Sequence, residues 1–230
     1  MISAGDFLLL SEPSPRAQEL PFRPYEFAVK ERRLLPVPEY QASAPCLEVL
    51  HQRESRRKFG TVADAQLSAL LWFSAKTLRT RCEPSGFTWQ HRPAPSGGGR
   101  HPIHILVVAP PLQPGAVSLY EPQGHALLAL DIPDQTAIAD FAQVIDFVLP
   151  PQQGTVLCFA AEPARTATRY NDSESLIWRD AGALVATIHI AAEALSLNCC
   201  ALGPLFHFWM SRILPDTRFV GVGGVIVGAR

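Results

Sequence analysis

Arg179 to Gly203 reads RDAGALVATIHIAAEALSLNCCALG, and the fold class turns on how this stretch is parsed. Ala181, Leu184, Val185, Ile188, Ala191, Ala192 and Leu195 recur at helical spacing. They predict a long helix from Arg179 to Leu197 that is buried nearly all round. A short strand follows, and Gly203-Pro204 turns the chain after it.

Outward from this stretch, Thr155 to Ala160 reads as a strand and Phe219 to Val227 is again strand-like. Asp134 to Val148 is amphipathic, with Ile138, Phe141, Val144, Ile145 and Val148 on one stripe. Val117 to Glu121 and His125 to Asp131, separated by Pro-Gln-Gly, form a predicted hairpin. The β-branched run IHILVVA from Ile103 to Ala109 predicts a buried strand. Asp64 opens a helix carrying Leu67, Leu70, Leu71 and Leu78. Before it, Ser43 as N-cap and Pro45 in the first turn predict a helix ending near Arg53, with Leu47 and Leu50 on one face. Helices and strands mix without a regular βαβ rhythm, so the class is α+β with a mixed sheet.

Residues 1–42 read as a proline-rich extended arm, since seven prolines fall within the first 45 residues and each removes a backbone donor. Phe7 to Leu10, Phe22, Tyr25 and Phe27 suggest that the arm packs on something, a partner subunit being one candidate. Residues 43–230 form the main domain. The 230 residues can bury a substantial core. With a net charge of -1 there is no basic surplus for a nucleic-acid backbone. No apolar stretch is long enough to span a bilayer, and Asp6 without a basic n-region argues against a signal peptide. A cytoplasmic protein is expected. Five cysteines without C-x-x-C spacing favour neither a disulfide framework nor a structural zinc site. Cys158 and the adjacent Cys199-Cys200 are expected as small packing residues, although the vicinal pair also admits a redox role.

Three segments carry candidate chemistry. In Arg53-Glu54-Ser55-Arg56-Arg57-Lys58-Phe59, at a helix end, two arginines at i and i+4 with a hydroxyl between them can converge on one anion; the bland reading is a solvated charge run. Pro95-Ser96-Gly97-Gly98-Gly99-Arg100 leads into the buried strand, and its glycines imply close approach of something planar or bulky. A flexible loop is the alternative. Arg169-Tyr170 precedes the long helix. Gly221, Gly223 and Gly224 lack the following helix of a dinucleotide turn. His101 and His104 lie three apart at a strand entry, on alternate faces.

Taken in order, these segments resemble the nitroreductase superfamily, and within it the SagB/McbC-type azoline dehydrogenases. RESRRKF is similar to the family's R-x-S-x-R/K-x-F opening, and PSGGGRHPIHILVVA to its Pro-Ser loop and strand. Tyr120-Glu121-Pro122 with His125 resembles the branch's Y-x-P…H hairpin, and Arg179 to Gly203 its helix and following strand. The likeness spans about Cys46 to Gly203. It implies a mainly antiparallel sheet flanked by helices, and a homodimer with FMN sites shared between subunits. Carried over by residue, it assigns Arg53 and Ser55 to the FMN phosphate and ribityl chain, and Arg57 to the pyrimidine side of the ring. Pro95, Ser96 and Gly97 would reach the ring from the partner subunit, and Leu202 and Gly203 would lie near the flavin. A basic residue near the C-terminus, Arg212, Arg218 or Arg230, would meet the phosphate.

In the azoline dehydrogenases a Lys-Tyr pair serves the substrate chemistry; here Arg169-Tyr170 stands in its place. Arginine stays charged, so Arg169 is a poor general base, leaving Tyr170 to relay a proton or Arg169 to orient a carboxylate or carbonyl. Ala183 replaces the branch's His, and Ala186-Thr187 its Gln-Asn. The resemblance implies an FMN-dependent oxidoreductase that dehydrogenates a peptide- or amino-acid-derived heterocycle (azoline to azole type) or a related natural-product intermediate. Two alternatives stay open: an NAD(P)H-dependent nitro or quinone reductase, and a flavin-binding or flavin-free scaffold subunit of a biosynthetic complex.

Overall fold

A computed structural model describes residues 11–39, 45–111, 116–132, 134, 136–148, 153–214 and 218–230. In chain order the elements are β1 (Ser14–Pro15), β2 (Val29–Leu34), α1 (Cys46–Gln52), α2 (Asp64–Ala75), β3 (Arg79–Cys82), β4 (Thr88–His91), a 3-10 turn at Gly97–Gly99, and β5 (Ile103–Val108). There follow β6 (Val117–Glu121), β7 (Ala126–Leu130), α3 (Thr136–Val148), β8 (Thr155–Ala161), α4 (Pro163–Ala167), β9 (Tyr170–Asn171), α5 (Glu174–Ala194), β10 (Leu197–Leu202), α6 (His207–Ile213) and β11 (Val220–Ala229).

Seven strands form one sheet in the order β10-β11-β8-β5-β6-β7-β2. Every pairing in it is antiparallel among the described residues. β5 lies in its middle and is covered on both sides, which is why Ile103 to Val108 is apolar nearly throughout. Ile103, Ile105 and Val107 pack with α2 and α5 residues such as Leu70, Leu71, Ile177, Leu184 and Ile188. Leu106 and Val108 pack on the opposite face with Phe141 and Ile145 of α3 and Trp209 and Met210 of α6. The result is helix, sheet, helix in three layers.

α5 begins at Glu174, five residues before the expected start, because Ile177 extends the buried stripe of Ala181, Leu184 and Ile188 by one turn. It ends at Ala194, and Leu197 opens β10 instead of closing the helix. Strand pleating then sends Cys199 into the α5 side of the core and Cys200 into the α6 side. Both are free thiols, as is the buried Cys158. α2 stops at Ala75, since the Leu78 amide bonds the His91 carbonyl and starts the β3–β4 hairpin. Leu78 is therefore outside the helix and half exposed. In α1 it is Val49 that is buried, while Leu47 and Leu50 face outward. Ser43, the expected cap of α1, lies outside the described residues. Asp134 caps α3: its carboxylate accepts from the amides of Thr136 (3.0 Å) and Ala137 (3.3 Å).

The proline-rich segment is more regular than its composition suggests. β2 pairs with β7 as the edge of the main sheet, and β1 pairs with β9. Phe22 meets Phe87 at 5.8 Å between ring centres, and Tyr25 meets Phe219 at 5.1 Å, so this segment packs on its own chain. The exposed edge carries Lys30, Glu31, Arg32 and Arg33, charges that discourage edge-to-edge pairing. No helix among the described residues is long and apolar enough to cross a membrane.

Candidate functional site

α1 gives way at Arg53 to an extended stretch that runs beside β10. The Arg56 amide donates to the Cys199 carbonyl (3.1 Å), and Asn198 Nδ2 donates to the Lys58 carbonyl (2.8 Å). From Arg53 to Ala63 the chain is not helical, so the i, i+4 convergence expected for Arg53 and Arg57 does not apply. Arg56 is committed inward: it bonds Glu193 of α5 and pairs with Glu54 at 3.1 Å. Arg230 reaches the same buried carboxylate at 2.7 Å. Burial pushes the Glu193 carboxyl up, but the bonds from Arg56 and Arg230 outweigh it and hold the group below its ordinary value.

Arg53, Ser55 and Arg57 are exposed, and none makes a side-chain hydrogen bond or ion pair among the described residues. Arg53 lies close enough to His189 of α5 to depress it further, after burial, which is the larger cause. His189 is buried, and its Nδ1 has no hydrogen-bond partner among the described residues. Burial likewise pushes the Cys199 thiol up to about 12, with Cys200 adding to the shift and Arg53 opposing it; Cys199 is thereby kept a thiol and not a nucleophile. Of the three C-terminal arginines, Arg230 stands beside this cluster. Arg212 is held by Asp134 and Asp140 between α6 and α3, and Arg218 by Glu162. Leu202 ends β10 and is buried; Gly203 after it is exposed and opens onto free space.

A second group gathers at the other end of α5. Ser96 Oγ donates to Asp180 Oδ2 (2.5 Å) and the Gly97 amide to Oδ1 (2.9 Å), while the His101 amide donates to Ser96 Oγ (2.8 Å). Asp180 is buried, which raises its carboxyl, and the bonds from Ser96 and Gly97 counteract this in part. The glycines answer to this chain's own side chains. Gly98 has φ +62°, and a Cβ there would come within 2.7 Å of the Tyr170 hydroxyl; at Gly99 it would strike the Trp89 indole. Tyr170 therefore sits against the Pro95–Gly99 turn, whereas the Arg169 side chain is exposed. β1 pairs over β9, so Pro15 lies opposite Tyr170.

Asp180 and Glu193 are thirteen residues apart on one helix, or about 20 Å at 1.5 Å per residue. The expected residues thus form two groups, Arg53–Arg57 and Pro95–Gly97 with Tyr170, which do not meet within one chain. Glu193, His189 and Arg56 escaped the sequence reading. Glu193 sits in an apolar run where only burial reveals its role, and Arg56 differs from its neighbours only by direction.

His101 and His104 have separate partners: His101 Nε2 lies 3.0 Å from the Gln90 carbonyl and His104 Nε2 3.2 Å from Glu162. The hairpin residues Tyr120 and His125 form a buried chain, Tyr120 Oη to His125 Nδ1 (2.8 Å) and His125 Nε2 to Ser68 Oγ (2.8 Å). It fastens the hairpin to α2.

The sequence matches the Nitroreductase family model over residues 50–217. A search of curated proteins found no match. Among solved structures, a nitroreductase-type protein of Ralstonia eutropha superposes with a TM-score of 0.65 at 23% identity, over 95% of this chain and 98% of that one. One from Anabaena variabilis gives 0.59 at 22%, over 84% of this chain. The present chain spans only 40% of that protein's length. A chain of the E. coli microcin synthetase McbBCD complex, solved with truncated pro-MccB17 bound, gives 0.56 at 14%, over 87% and 79%. At these identities the likeness is one of fold.

Proposed function

The chain belongs to the nitroreductase family, and from that premise we propose that it is an FMN-dependent oxidoreductase acting on a peptide- or amino-acid-derived heterocycle. The observation that carries the cofactor reading is the stretch beside β10. Among the described residues Arg53, Ser55 and Arg57 are unpartnered there, next to a buried His189 whose Nδ1 has no partner and to Arg230. This donor set suits a phosphate and a polyol chain. Arg53, Ser55 and Arg230 would hold the phosphate end of FMN, Arg57 the pyrimidine side, and Leu202-Gly203 would border the ring. Bound FMN would supply a two-electron acceptor.

The Pro95–Gly97 turn lies about 20 Å away along α5. We infer that it serves the site of a second copy in a homodimer, bringing Tyr170 with it. Tyr170 then supplies a hydroxyl that can pass a proton, and Arg169, which keeps its charge, orients a carbonyl or carboxylate of the substrate. The McbBCD likeness supports the heterocycle reading. The permanent charge of Arg169 favours an NAD(P)H-driven reductase, which needs no base at that position.

Purified protein should absorb near about 450 nm when flavin is bound. Arg53→Ala with Arg57→Ala should weaken FMN binding by about 100-fold, at ~1.4 kcal/mol per tenfold, and dilution to monomer should release flavin in step with dissociation. A colourless protein that does not take up FMN would sink the reading. Oxidation of a thiazoline peptide without added NADPH favours the dehydrogenase, and turnover of nitro or quinone compounds only with NADPH favours the reductase.

A further inference from the structure

At the rim of the sheet, between β4, the β6–β7 hairpin and α4, lies a cleft of about 440 Å³. That volume falls within the range of small-molecule sites. Phe27, Ile103, Leu119 and Leu128 form its apolar wall, and Arg92 and Arg165 its cationic one. Among the described residues Arg92 Nε and Nη2 donate only to Gln90 Oε1, at 3.0 and 2.5 Å. Arg165 Nε donates to the Arg100 carbonyl (3.1 Å), and its guanidinium lies over Phe22 and Phe87. Neither has a carboxylate at ion-pair distance among the described residues.

The acids nearby have other hydrogen-bond partners, and Glu162 acts on Arg165 only from beyond ion-pair distance. Glu121 belongs to Arg32, and the two oxygens of Glu162 go to His104 (3.2 Å) and Arg218 (2.6 Å). Two cations therefore share a half-buried cleft: Arg92 is pushed down to about 9 by burial first and Arg165 second, and Arg165 is lowered by burial, with Glu162 opposing the shift and Arg100 adding to it. Such an arrangement costs stability unless an anion completes it.

We propose that this cleft binds the carboxylate or phosphate group of a small organic anion, with Arg92 and Arg165 as its clamp and the Phe27–Leu128 wall against its apolar body. The site is separate from the Arg53–Arg57 stretch: β5 stands three strands from β10, about 14 Å at the usual spacing.

Calorimetric titration of the full-length protein with benzoate, phenyl phosphate and neutral benzamide tests this. Benzoate or phenyl phosphate should bind in the millimolar range or tighter, and benzamide at least about tenfold more weakly; which anion binds better identifies the head group. Arg92→Gln or Arg165→Gln should weaken the anion at least about tenfold, while the ligand-free variant keeps or gains thermal stability. Should Arg92→Gln not fold, Arg165→Lys, which retains the charge and loses the fork, should still weaken binding. The Arg53→Ala, Arg57→Ala protein should bind the anion as the wild type does. Equal binding of benzamide, unchanged binding in the arginine variants, loss of binding in the Arg53→Ala, Arg57→Ala protein, or no binding of either anion overturns the proposal. So does destabilisation of both ligand-free glutamine variants, which would mean that protein groups already satisfy the pair.

Discussion

Glu193 holds two arginines 174 residues apart in the sequence on one buried carboxylate. Arg56 enters from the stretch after α1, and Arg230 is the last residue. Glu193→Gln keeps the shape and removes the charge, leaving Arg230 without its carboxylate and Arg56 with only the exposed Glu54. We expect a loss of about 1–3 kcal/mol, measured as a lower urea midpoint. In the wild type the folded carboxyl titrates below its ordinary value. Its contribution is therefore complete at neutral pH and disappears as pH falls through the lower, folded value. At this scale the sequence displayed Arg53, Ser55 and Arg57 as a motif but gave no sign of Glu193, because an acid within AAEALSL looks like any exposed helix position.

The β6–β7 hairpin illustrates the scale of elements. Its strands and turn were legible from alternation and the Pro-Gln-Gly break, yet Tyr120 and His125 entered only as a family likeness. In the fold they form a buried polar chain to Ser68, with Trp72 edge-on to the His125 ring at 4.7 Å. Tyr120→Phe should leave His125 Nδ1 unpaired inside the protein and cost about 1–3 kcal/mol, seen as a drop in thermal midpoint. β2 and the β3–β4 hairpin were not legible. β2 is charged and exposed along its length, so it carries no apolar alternation, and only pairing with β7 makes it a strand.

Across the whole molecule, burial dominates the histidines. His101 is pushed down to about 3, chiefly by burial and then by Arg92. His104, His125 and His189 are lowered too, each first by burial. The unfolded chain then binds more protons than the folded one below about pH 6.5, so stability is full above that pH and falls as pH drops toward the folded values. His101 alone should contribute a loss of about 2 kcal/mol between pH 7.5 and 5, measurable by denaturant titration at the two pH values. Asp180, raised by burial, acts in the opposite sense, from around its ordinary value near 3.8 upward.

The sequence by itself determined the α+β class, the central strands and the long helix, because hydrophobic period is local and survives without knowledge of neighbours. For Arg179 to Gly203 it found the buried helix and the strand after it, and the structure moved the helix start to Glu174 and its end to Ala194. Only the tertiary structure decided which side chains meet. It placed Glu193 between Arg56 and Arg230, divided Cys199 from Cys200 across the sheet, and set the two groups of candidate site residues at opposite ends of α5. Contacts between residues far apart in the chain depend on register and layer packing, and no local period encodes them.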